Sequence, residues 1–201
     1  MTITRPAVLL LALSVAAPAL AQEIPEPKSG VKFTAKSGDM SLLGVGLRVK
    51  KVAFVTAKVY AVGLYVADSA LSGPLAAYKG KTDSPDFYKE LVSGDFEKQI
   101  VMKFTRDLSA DQIRGGFRET LAGTSKLDLF VGYFGDTKQG QECLLTWKPG
   151  GILETKVTGL NRPPINDKAF ASAVFGIWLG DKPIQEDIKK GLVSRAAEVV
   201  K

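Results

Sequence analysis

Alternating apolar and polar side chains between residues 42 and 66 predict two long β-strands that meet near residues 53 and 54. Four apolar residues share one predicted face of the first strand: Leu43, Val45, Leu47 and Val49. The other face carries Gly44, Gly46 and Arg48. Because glycine has no side chain, we expect this face to leave room for another group to lie against the sheet.

The second of these strands continues the alternation through residues 58–66. Its larger apolar residues share one predicted face: Tyr60, Val62 and Leu64. Residues 96–106 alternate again and predict a half-exposed strand. Residues 143–147 and 152–157 are separated by Lys148-Pro149-Gly150-Gly151, a composition that predicts a hairpin.

Helices are predicted on both sides of the third predicted strand along the chain. Residues 72–93 predict two short helices, and Ser109-Ala110-Asp111-Gln112 has the form of a capping box. Apolar residues then recur every four positions, which predicts a helix over about 110–122: Ile113, Phe117 and Leu121. Two more helices are predicted at the end of the chain, one stopping at Gly180 and one opening near Pro183.

Segregated strands and helices predict a single α+β domain in which sheet and helices pack as layers. One detail of the third helix needs a reason, because Gly115 and Gly116 each cost about 1 kcal/mol relative to alanine inside a helix. We therefore expect a ligand or a strand to approach the helix closely at these glycines.

Composition excludes several kinds of chemistry. The 201 residues include no histidine and one cysteine, Cys143. A Ser-His-Asp triad, a Cys-His pair, an imidazole-based zinc site and an intrachain disulfide are therefore all excluded. We expect no metal or other cofactor, and we interpret Cys143 as a small buried apolar residue on a strand.

The net charge of +6 comes from 27 basic and 21 acidic residues that are dispersed along the chain. Dispersed lysines, Lys98 and Lys103 among them, are typical of solvated faces, and they argue against a nucleic-acid groove. No segment after the first 21 residues is apolar enough to span a membrane, so stable membrane insertion is not expected. The sequence identifies no protein partner.

The first 21 residues have the form of a secretory signal peptide. Arg5 precedes an apolar run from Ala7 to Ala17, and small residues at Ala19 and Ala21 predict cleavage after Ala21. Residues 22–30 contain two prolines and three charges, which predicts a flexible lead-in before a domain over residues 31–201. Export, with neither a disulfide pair nor a glycosylation sequon, indicates a periplasmic or secreted, bacterial protein.

Five blocks of the chain, in this order, resemble the chalcone isomerase family: residues 43–48, 58–66, 94–98, 108–112 and 175–184. The resemblance implies an open-faced β-sandwich, a large antiparallel sheet covered on one side by helices with a ligand cleft between them. The family contains isomerases that close a chalcone into a flavanone, and non-catalytic members that bind fatty acids in the same cleft.

The resemblance also implies which residues line this cleft. Arg48 retains the family's strand arginine, and Tyr60 replaces a catalytic threonine. Ala171 stands where the enzymes have a threonine or serine on the helix before the last. Ile113 and Thr120 stand where the enzymes have tyrosine and asparagine on a helix, with Phe117 on the same apolar stripe. This pattern is similar to the fatty-acid-binding branch.

The chemistry of these residues favours the same interpretation. Ile and Ala cannot stabilise a phenolate or an enolate, so the electrostatic contribution that isomerisation needs is missing. Arg48 and Tyr60 instead supply a forked cationic donor and a phenol donor for a long-chain carboxylate. We therefore expect a non-catalytic binding protein for a fatty acid or similar amphiphilic carboxylate, with Arg48, Tyr60, Ile113, Phe117 and Thr120 at the site.

Two alternatives remain open. The first is an isomerase or lyase-type enzyme acting on a small phenolic substrate, with Thr56, Thr120 or Tyr133 supplying a hydroxyl group. The second is a structural or partner-binding protein whose cleft is filled by its own side chains, with Arg48 paired to an acidic residue and Tyr60 serving only the core.

Overall fold

The computed structural model describes residues 22–52 and 54–201 of the chain. The predicted signal peptide, residues 1–21, lies outside the described residues, so its cleavage after Ala21 stays a prediction. Within the described part, no helix is long and apolar enough to cross a membrane.

Antiparallel strands form the centre of the molecule. A seven-stranded sheet runs in chain order from β3 to β9, so that each strand pairs with the next along the sequence, and β1 and β2 form a separate hairpin. The strands are β1 (Glu23–Pro25), β2 (Lys32–Thr34), β3 (Lys36–Ser37), β4 (Met40–Val52), β5 (Val55–Ala67), β6 (Lys98–Phe104), β7 (Glu142–Lys148), β8 (Ile152–Val157) and β9 (Leu160–Asn166).

Helices pack against one face of this sheet. They are α1 (Asp68–Leu71), α2 (Pro85–Ser93), α3 (Ala110–Thr120), α4 (Leu127–Val131), α5 (Lys168–Leu179), α6 (Glu186–Gly191) and α7 (Ala196–Val199), with a 3₁₀ turn at Pro74–Tyr78. The predicted capping box is confirmed, because Ser109 Oγ accepts from Gln112 N while Gln112 Oε1 accepts from Ser109 N. The α+β prediction of a large antiparallel sheet covered by a helical layer is confirmed.

The core has two parts, one on each face of the sheet. The larger part lies between sheet and helices and includes Tyr60, Val62 and Leu64, which confirms their shared face. The smaller part lies on the other face and includes Ala61 and Phe33. Phe33 comes from β2 and packs over Gly63, where a Cβ atom would lie 2.8 Å from the ring. The open side of the predicted sandwich is therefore partly covered by the N-terminal hairpin.

This hairpin corrects the prediction of a flexible lead-in over residues 22–30. Glu23–Pro25 pairs with β2, and the turn between the strands is held by the Glu26 carboxylate. Its Oε2 atom accepts from the amides of Lys28 and Ser29 and from the Ser29 hydroxyl. The sequence-based prediction considered only proline and charge, whereas the fold uses the acidic side chain to order the turn.

A bulge in β4 corrects another prediction. The pairing with β5 shifts by one residue between Leu42 and Gly44, so Leu43 packs on the helix side while Val45 and Leu47 pack on the opposite side. One inserted residue reverses which face a side chain occupies. Leu43 therefore does not share a face with Val45 and Leu47.

The predicted room beside Gly44 and Gly46 is confirmed, and the protein itself fills it. A Cβ atom at Gly44 would overlap the Gly191 carbonyl oxygen, and one at Gly46 would lie 3.2 Å from Ile188 Cα. Helix α6 thus lies directly on β4. By contrast, apart from the adjacent residues and the helix's own backbone, no atom of the described structure lies within 4 Å of a Cβ built at Gly115 or Gly116, so the close approach expected there is absent from it.

Strand β6 is more buried than predicted. Lys98 and Gln99 open the strand, and both are buried, as are Ile100 and Met102. The half-exposed assignment was wrong because the N-terminal hairpin covers part of the outer face, where Lys103 Nζ lies 5.1 Å from the centre of the Phe33 ring.

Candidate ligand-binding site

Arg48 and Tyr60 face each other across two neighbouring strands. Arg48 on β4 is the register partner of Tyr60 on β5, so their side chains leave the same face of the sheet. That face is the helix side, because Tyr60 belongs to the core between sheet and helices. The two polar groups predicted to hold a carboxylate are therefore neighbours.

The Arg48 guanidinium is bound only by neutral oxygens. Its Nη1 atom donates to the carbonyl oxygens of Val49 at 3.1 Å and Ile184 at 3.4 Å, and to Gln185 Oε1 at 3.4 Å. Among the described residues, no carboxylate forms an ion pair with Arg48, and its Nε and Nη2 atoms donate no hydrogen bond. The arginine is half-buried, so its charge is neither compensated nor fully hydrated.

Gln185 holds this region together, and sequence reasoning missed it. Its Nε2 atom donates to the Leu47 carbonyl oxygen at 3.1 Å, and its Oε1 atom accepts from the Val49 amide at 3.2 Å. The side chain thus pairs with the β4 backbone on both sides of Arg48, as a neighbouring strand would. A single glutamine between Ile184 and a helix carries no pattern that could reveal this role.

Tyr60 is buried and its hydroxyl oxygen accepts a 3.1 Å hydrogen bond from Trp178 Nε1 on α5. Burial raises the pKa of Tyr60 to about 12, although the bond from Trp178 and the positive charge of Arg48 both oppose this rise. The phenol is therefore protonated at neutral pH. Its proton has no acceptor among the described residues, so Tyr60 retains one unused donor.

Two of the predicted helix residues form an apolar wall. Ile113 and Phe117 on α3 are buried in the same core as Tyr60. The Phe117 ring contacts two further aromatic rings edge-on or tilted, with centroids 5.0 Å from Phe130 and 4.8 Å from Phe134. These contacts place a large apolar surface on the helix side of the sheet.

Thr120 is not brought to this wall. It lies on the exposed side of α3, and its hydroxyl donates to the carbonyl oxygens of Gly116 at 3.0 Å and Phe117 at 3.3 Å. The structure thus groups Arg48 with Tyr60 and Ile113 with Phe117, and leaves Thr120 bonded to its own helix. Thr120 stands three residues after Phe117 and directly before Leu121, and nothing in the sequence around it indicated this orientation.

The remaining hydroxyl candidates lie elsewhere. Thr56 is exposed near the end of the β4–β5 hairpin, and the Tyr133 hydroxyl donates to the Pro163 carbonyl oxygen at 2.9 Å. Ala171 is fully buried on α5. No group of three or more acidic, cysteine or histidine side chains able to hold a metal ion occurs among the described residues.

Two surface grooves lie apart from the five predicted residues. The larger, of about 640 Å³, is open and carries charges of both signs; its lining includes Asp83, Tyr88, Asp181, Glu186, Lys189 and Lys190. The smaller, of about 320 Å³, is lined mainly by polar residues of the sheet, among them Gln99, Thr146 and Asn161. Mixed charge distinguishes both grooves from the apolar wall at Ile113 and Phe117.

Lys98 corrects the assignment of the dispersed lysines to solvated faces. It is fully buried, and its ammonium donates to the Gly94 carbonyl oxygen at 2.7 Å. Aromatic rings surround it, with centroids 4.1 Å away for Trp147 and 4.6 Å away for Phe96. Loss of hydration lowers the pKa of Lys98 to about 7.

The chalcone isomerase-like family model matches residues 21–194 of the chain. The chain therefore belongs to the chalcone isomerase-like family. It is 29% identical over 176 residues to a chalcone isomerase-like protein 1 of Humulus lupulus, which covers 78% of this chain and 82% of that protein. It is 25% identical over 200 residues to a chalcone–flavanone isomerase 2 of Lotus japonicus, an alignment that covers 87% of this chain and 90% of that protein.

A solved structure has the same fold. The chain superposes on the fatty-acid binding protein of Arabidopsis thaliana with a TM-score of 0.77 at 20% identity, covering 89% of this chain and 99% of that one. At this identity the superposition establishes the architecture, a sheet with a helical layer. The predicted family and fold are thus confirmed.

Proposed function

We propose that this protein binds a fatty acid or a similar amphiphilic carboxylate without transforming it. The observation that carries the proposal is an unused set of donors at one place. Among the described residues, the Tyr60 phenol proton and the Arg48 Nε and Nη2 atoms have no acceptor, although the two side chains are register partners. A carboxylate has two oxygens that can accept from both.

The protonation states favour an anion over a neutral ligand. Arg48 is positively charged, and the pKa of Tyr60 at about 12 keeps the phenol neutral and able to donate. The pair therefore has a net positive charge and only donors to offer. A fatty alcohol would satisfy the same hydrogen bonds poorly and would leave the charge uncompensated.

The apolar wall provides for the rest of such a ligand. Ile113 and Phe117 lie on the same side of the sheet as Tyr60, and each methylene group that they cover contributes about 0.8 kcal/mol. A chain several methylenes long thus gains more from this surface than from its head group. Opening space for it requires α3 to move relative to the sheet.

The comparisons support the proposal by analogy. The superposed plant protein is a fatty-acid binding protein, whereas several sequence relatives are chalcone–flavanone isomerases. Between these, the residues favour binding, because Ile113 and Ala171 carry no hydroxyl or amide group that could stabilise a phenolate or enolate. Added chalcone, followed by its absorbance, tests the enzymatic alternative directly.

One observation favours a structural or partner-binding protein. Tyr60 already accepts from Trp178, and Arg48 already donates to the chain that leads into α6, so both side chains contribute to the folded core without any ligand. In this alternative the cleft stays closed. Ligand binding then should be undetectable, which distinguishes the two hypotheses.

The decisive experiment is calorimetric titration with fatty acids of ten to eighteen carbons and the matching alcohols. We expect the wild type to prefer the acid, and Arg48→Gln to weaken acid binding by about 10- to 100-fold while leaving alcohol binding unchanged. Arg118→Gln, at an exposed arginine of α3, is the matched control and should leave both unchanged. Equal affinity of the wild type for acid and alcohol, or no binding of either, would exclude the proposal.

We also propose that the protein is exported and cleaved after Ala21. The apolar run and the small residues at Ala19 and Ala21 support this proposal. Intact-mass measurement of the protein from the cell envelope and from the medium tests it. A chain that starts at Gln22 supports export, and a chain that retains residues 1–21 in the cell interior contradicts it.

A further inference from the structure

The end of the β4–β5 hairpin extends beyond the rest of the sheet. The pairing of β6 with β5 ends at Tyr60, followed by one more backbone hydrogen bond from Thr105 N to the Val59 carbonyl oxygen, and β3 pairs with β4 only at Met40 and Ser41. The pairing of β4 with β5 continues past Arg48 to Val52 and Val55 as a two-stranded ribbon. Its base is held by the Val49 amide, which donates to Gln185 Oε1, and by Lys58 Nζ, which donates to the Lys28 carbonyl oxygen. At about 3.3 Å per residue, Phe54 lies roughly 20 Å along the strand from Tyr60.

Two large apolar residues at the tip of this ribbon, Phe54 and Val55, are exposed. The exposed fraction is 105% for Phe54 and 68% for Val55. The other large apolar residues found exposed in the described structure, Leu129 and Leu160, are exposed by 51% and 60% and belong to other parts of the surface. Phe54 thus presents its whole ring to the surroundings, which is uncommon for a phenylalanine.

Positive charge follows directly behind the apolar tip. Residues 40–67 contain four basic side chains, Arg48, Lys50, Lys51 and Lys58, and no acidic one. Lys50 and Lys51 are exposed and form no ion pair with any described residue. Because successive residues of a strand point to opposite faces, one lysine lies on each side of the ribbon.

We propose that the tip of the β4–β5 ribbon docks reversibly on an anionic lipid bilayer. In the docked state Phe54 and Val55 enter the interfacial region, where amphiphilic and aromatic side chains are favoured. Lys50 and Lys51 then lie at the level of the lipid phosphates. The surface potential of an anionic membrane attracts both lysines.

The shape of the tip favours a membrane over a protein partner. A stable protein interface buries about 1,200–2,000 Å² in total, far more than two exposed residues at the end of a ribbon can supply. A bilayer accepts a narrow apolar point, and the lysines add affinity without a shaped counterpart. Residues 40–67 offer no carboxylate that would repel lipid phosphates.

Docking does not depend on the proposed ligand. It would, however, place Arg48 and Tyr60 at the base of the ribbon, roughly 20 Å from the inserted residue. A fatty acid leaving the bilayer would then reach the hydrogen-bond donors of Arg48 and Tyr60 from the membrane side. The docking test below uses empty protein, so its failure would leave the fatty-acid proposal intact.

Phe54→Trp provides a reporter at the tip, because the native Trp147 and Trp178 are fully buried and their emission should not respond to lipid. We expect its emission to shift to the blue with vesicles containing 30% phosphatidylglycerol, and to be quenched when the lipids carry bromine on their acyl chains. Vesicles of phosphatidylcholine alone should give neither effect. The reporter senses the tip itself, whether or not residues 1–21 are present.

Charge and apolar contributions are separated by variants. In the reporter chain, Lys50→Gln with Lys51→Gln should lower the partition coefficient about 30-fold at low salt, because each lysine contributes about a factor of five. The matched control, Lys79→Gln with Lys81→Gln, removes the same charge from another exposed region and should change it less than threefold. In sedimentation with vesicles, Phe54→Ser should lower binding about tenfold, and Leu160→Ser should not.

Any of three results obtained with vesicles overturns the proposal. The first is no blue shift with anionic vesicles at low salt. The second is an equal fall of the partition coefficient in the two double-lysine variants, and the third is unchanged binding after Phe54→Ser. A blue shift that appears without lipid as protein concentration rises would also overturn it, since the tip would then be covered by a second copy of the chain.

Discussion

The indole Nε1 of Trp178 donates a 3.1 Å hydrogen bond to the hydroxyl oxygen of Tyr60, and both residues are buried. The bond joins helix α5 to strand β5 inside the core. It also fixes the role of the phenol, because one lone pair of the oxygen is occupied and the proton is left for another acceptor. A structural contact and a candidate binding group therefore share one atom.

Tyr60→Phe tests this double role. The substitution keeps the ring and leaves the Trp178 N–H without a partner, so we expect the free energy of unfolding to fall by about 1–3 kcal/mol. Urea denaturation measures it. Tyr78→Phe removes a hydroxyl that bonds to none of the described residues and should change stability by less than about 0.5 kcal/mol. Equal stability of wild type and Tyr60→Phe would show that water replaces the phenol.

Two glycines should respond in opposite directions to the same substitution. Gly44→Ala places a methyl group against the backbone of Gly191 and Leu192, which cannot move without displacing α6. We expect a loss of at least about 2 kcal/mol in the free energy of unfolding. Gly115→Ala meets open space inside an exposed helix and should stabilise by about 0.5–1 kcal/mol. Thermal and urea unfolding of the two variants measure both changes. An unchanged free energy of unfolding in Gly44→Ala would contradict the tight packing of α6 on β4.

Local patterns in the sequence were enough to predict much of the fold. The alternation around Tyr60 gave the correct face, and Ser109 with Gln112 gave the correct helix start, because both signals arise within a few residues. The bulge at Leu43 could not be predicted in this way. Whether one residue is inserted depends on the partner strand, and the alternation of β4 alone does not report it.

Contacts between distant parts of the chain account for the other differences. Lys98 was assigned to a solvated face because a lysine is normally exposed, but its surroundings come from Trp147 and Phe175, far along the sequence. Gln185 likewise bonds to Leu47 and Val49, more than 130 residues away. The sequence could predict that Arg48 and Tyr60 are neighbours, because they are close in sequence and pair in register. It could not predict that Thr120 on α3 bonds to its own helix.

Cys143 should be chemically silent in the native protein. It is fully buried on β7, and burial raises the pKa of its thiol to about 12, so almost no thiolate exists at neutral pH. We expect a thiol reagent such as dithionitrobenzoate to release less than about a tenth of an equivalent within an hour at pH 8. The same protein in denaturant should release a full equivalent at once. Fast labelling without denaturant would show that the sheet opens there.

Lys98 should make stability depend on pH between 7 and 9. Its pKa is lowered from 10.5 to about 7 by loss of hydration, while Glu90 and Asp95 favour the charged form and Lys168 opposes it. Above pH 7 the native amine is neutral, whereas the unfolded one still binds a proton. The free energy of unfolding should therefore rise with pH, by at most about 1.4 kcal/mol per unit.

Two other buried groups set the pH at which the free energy of unfolding stops rising. The pKa values of Cys143 and Tyr60 are both raised to about 12, so from about pH 9 the unfolded chain releases protons that the native chain keeps. Stability should then fall again, and the maximum should lie near pH 9. Urea denaturation at pH 6 to 10 maps this curve.

Lys98→Met assigns the slope to its source. It retains an unbranched side chain among the rings of Trp147 and Phe96 and removes the titrating amine, so the curve between pH 7 and 9 should become flat. Lys79→Met, at an exposed lysine, should keep the wild-type slope. If the wild type is itself flat from pH 7 to 9, the aromatic rings and the Gly94 carbonyl oxygen hold the ammonium charged despite its burial.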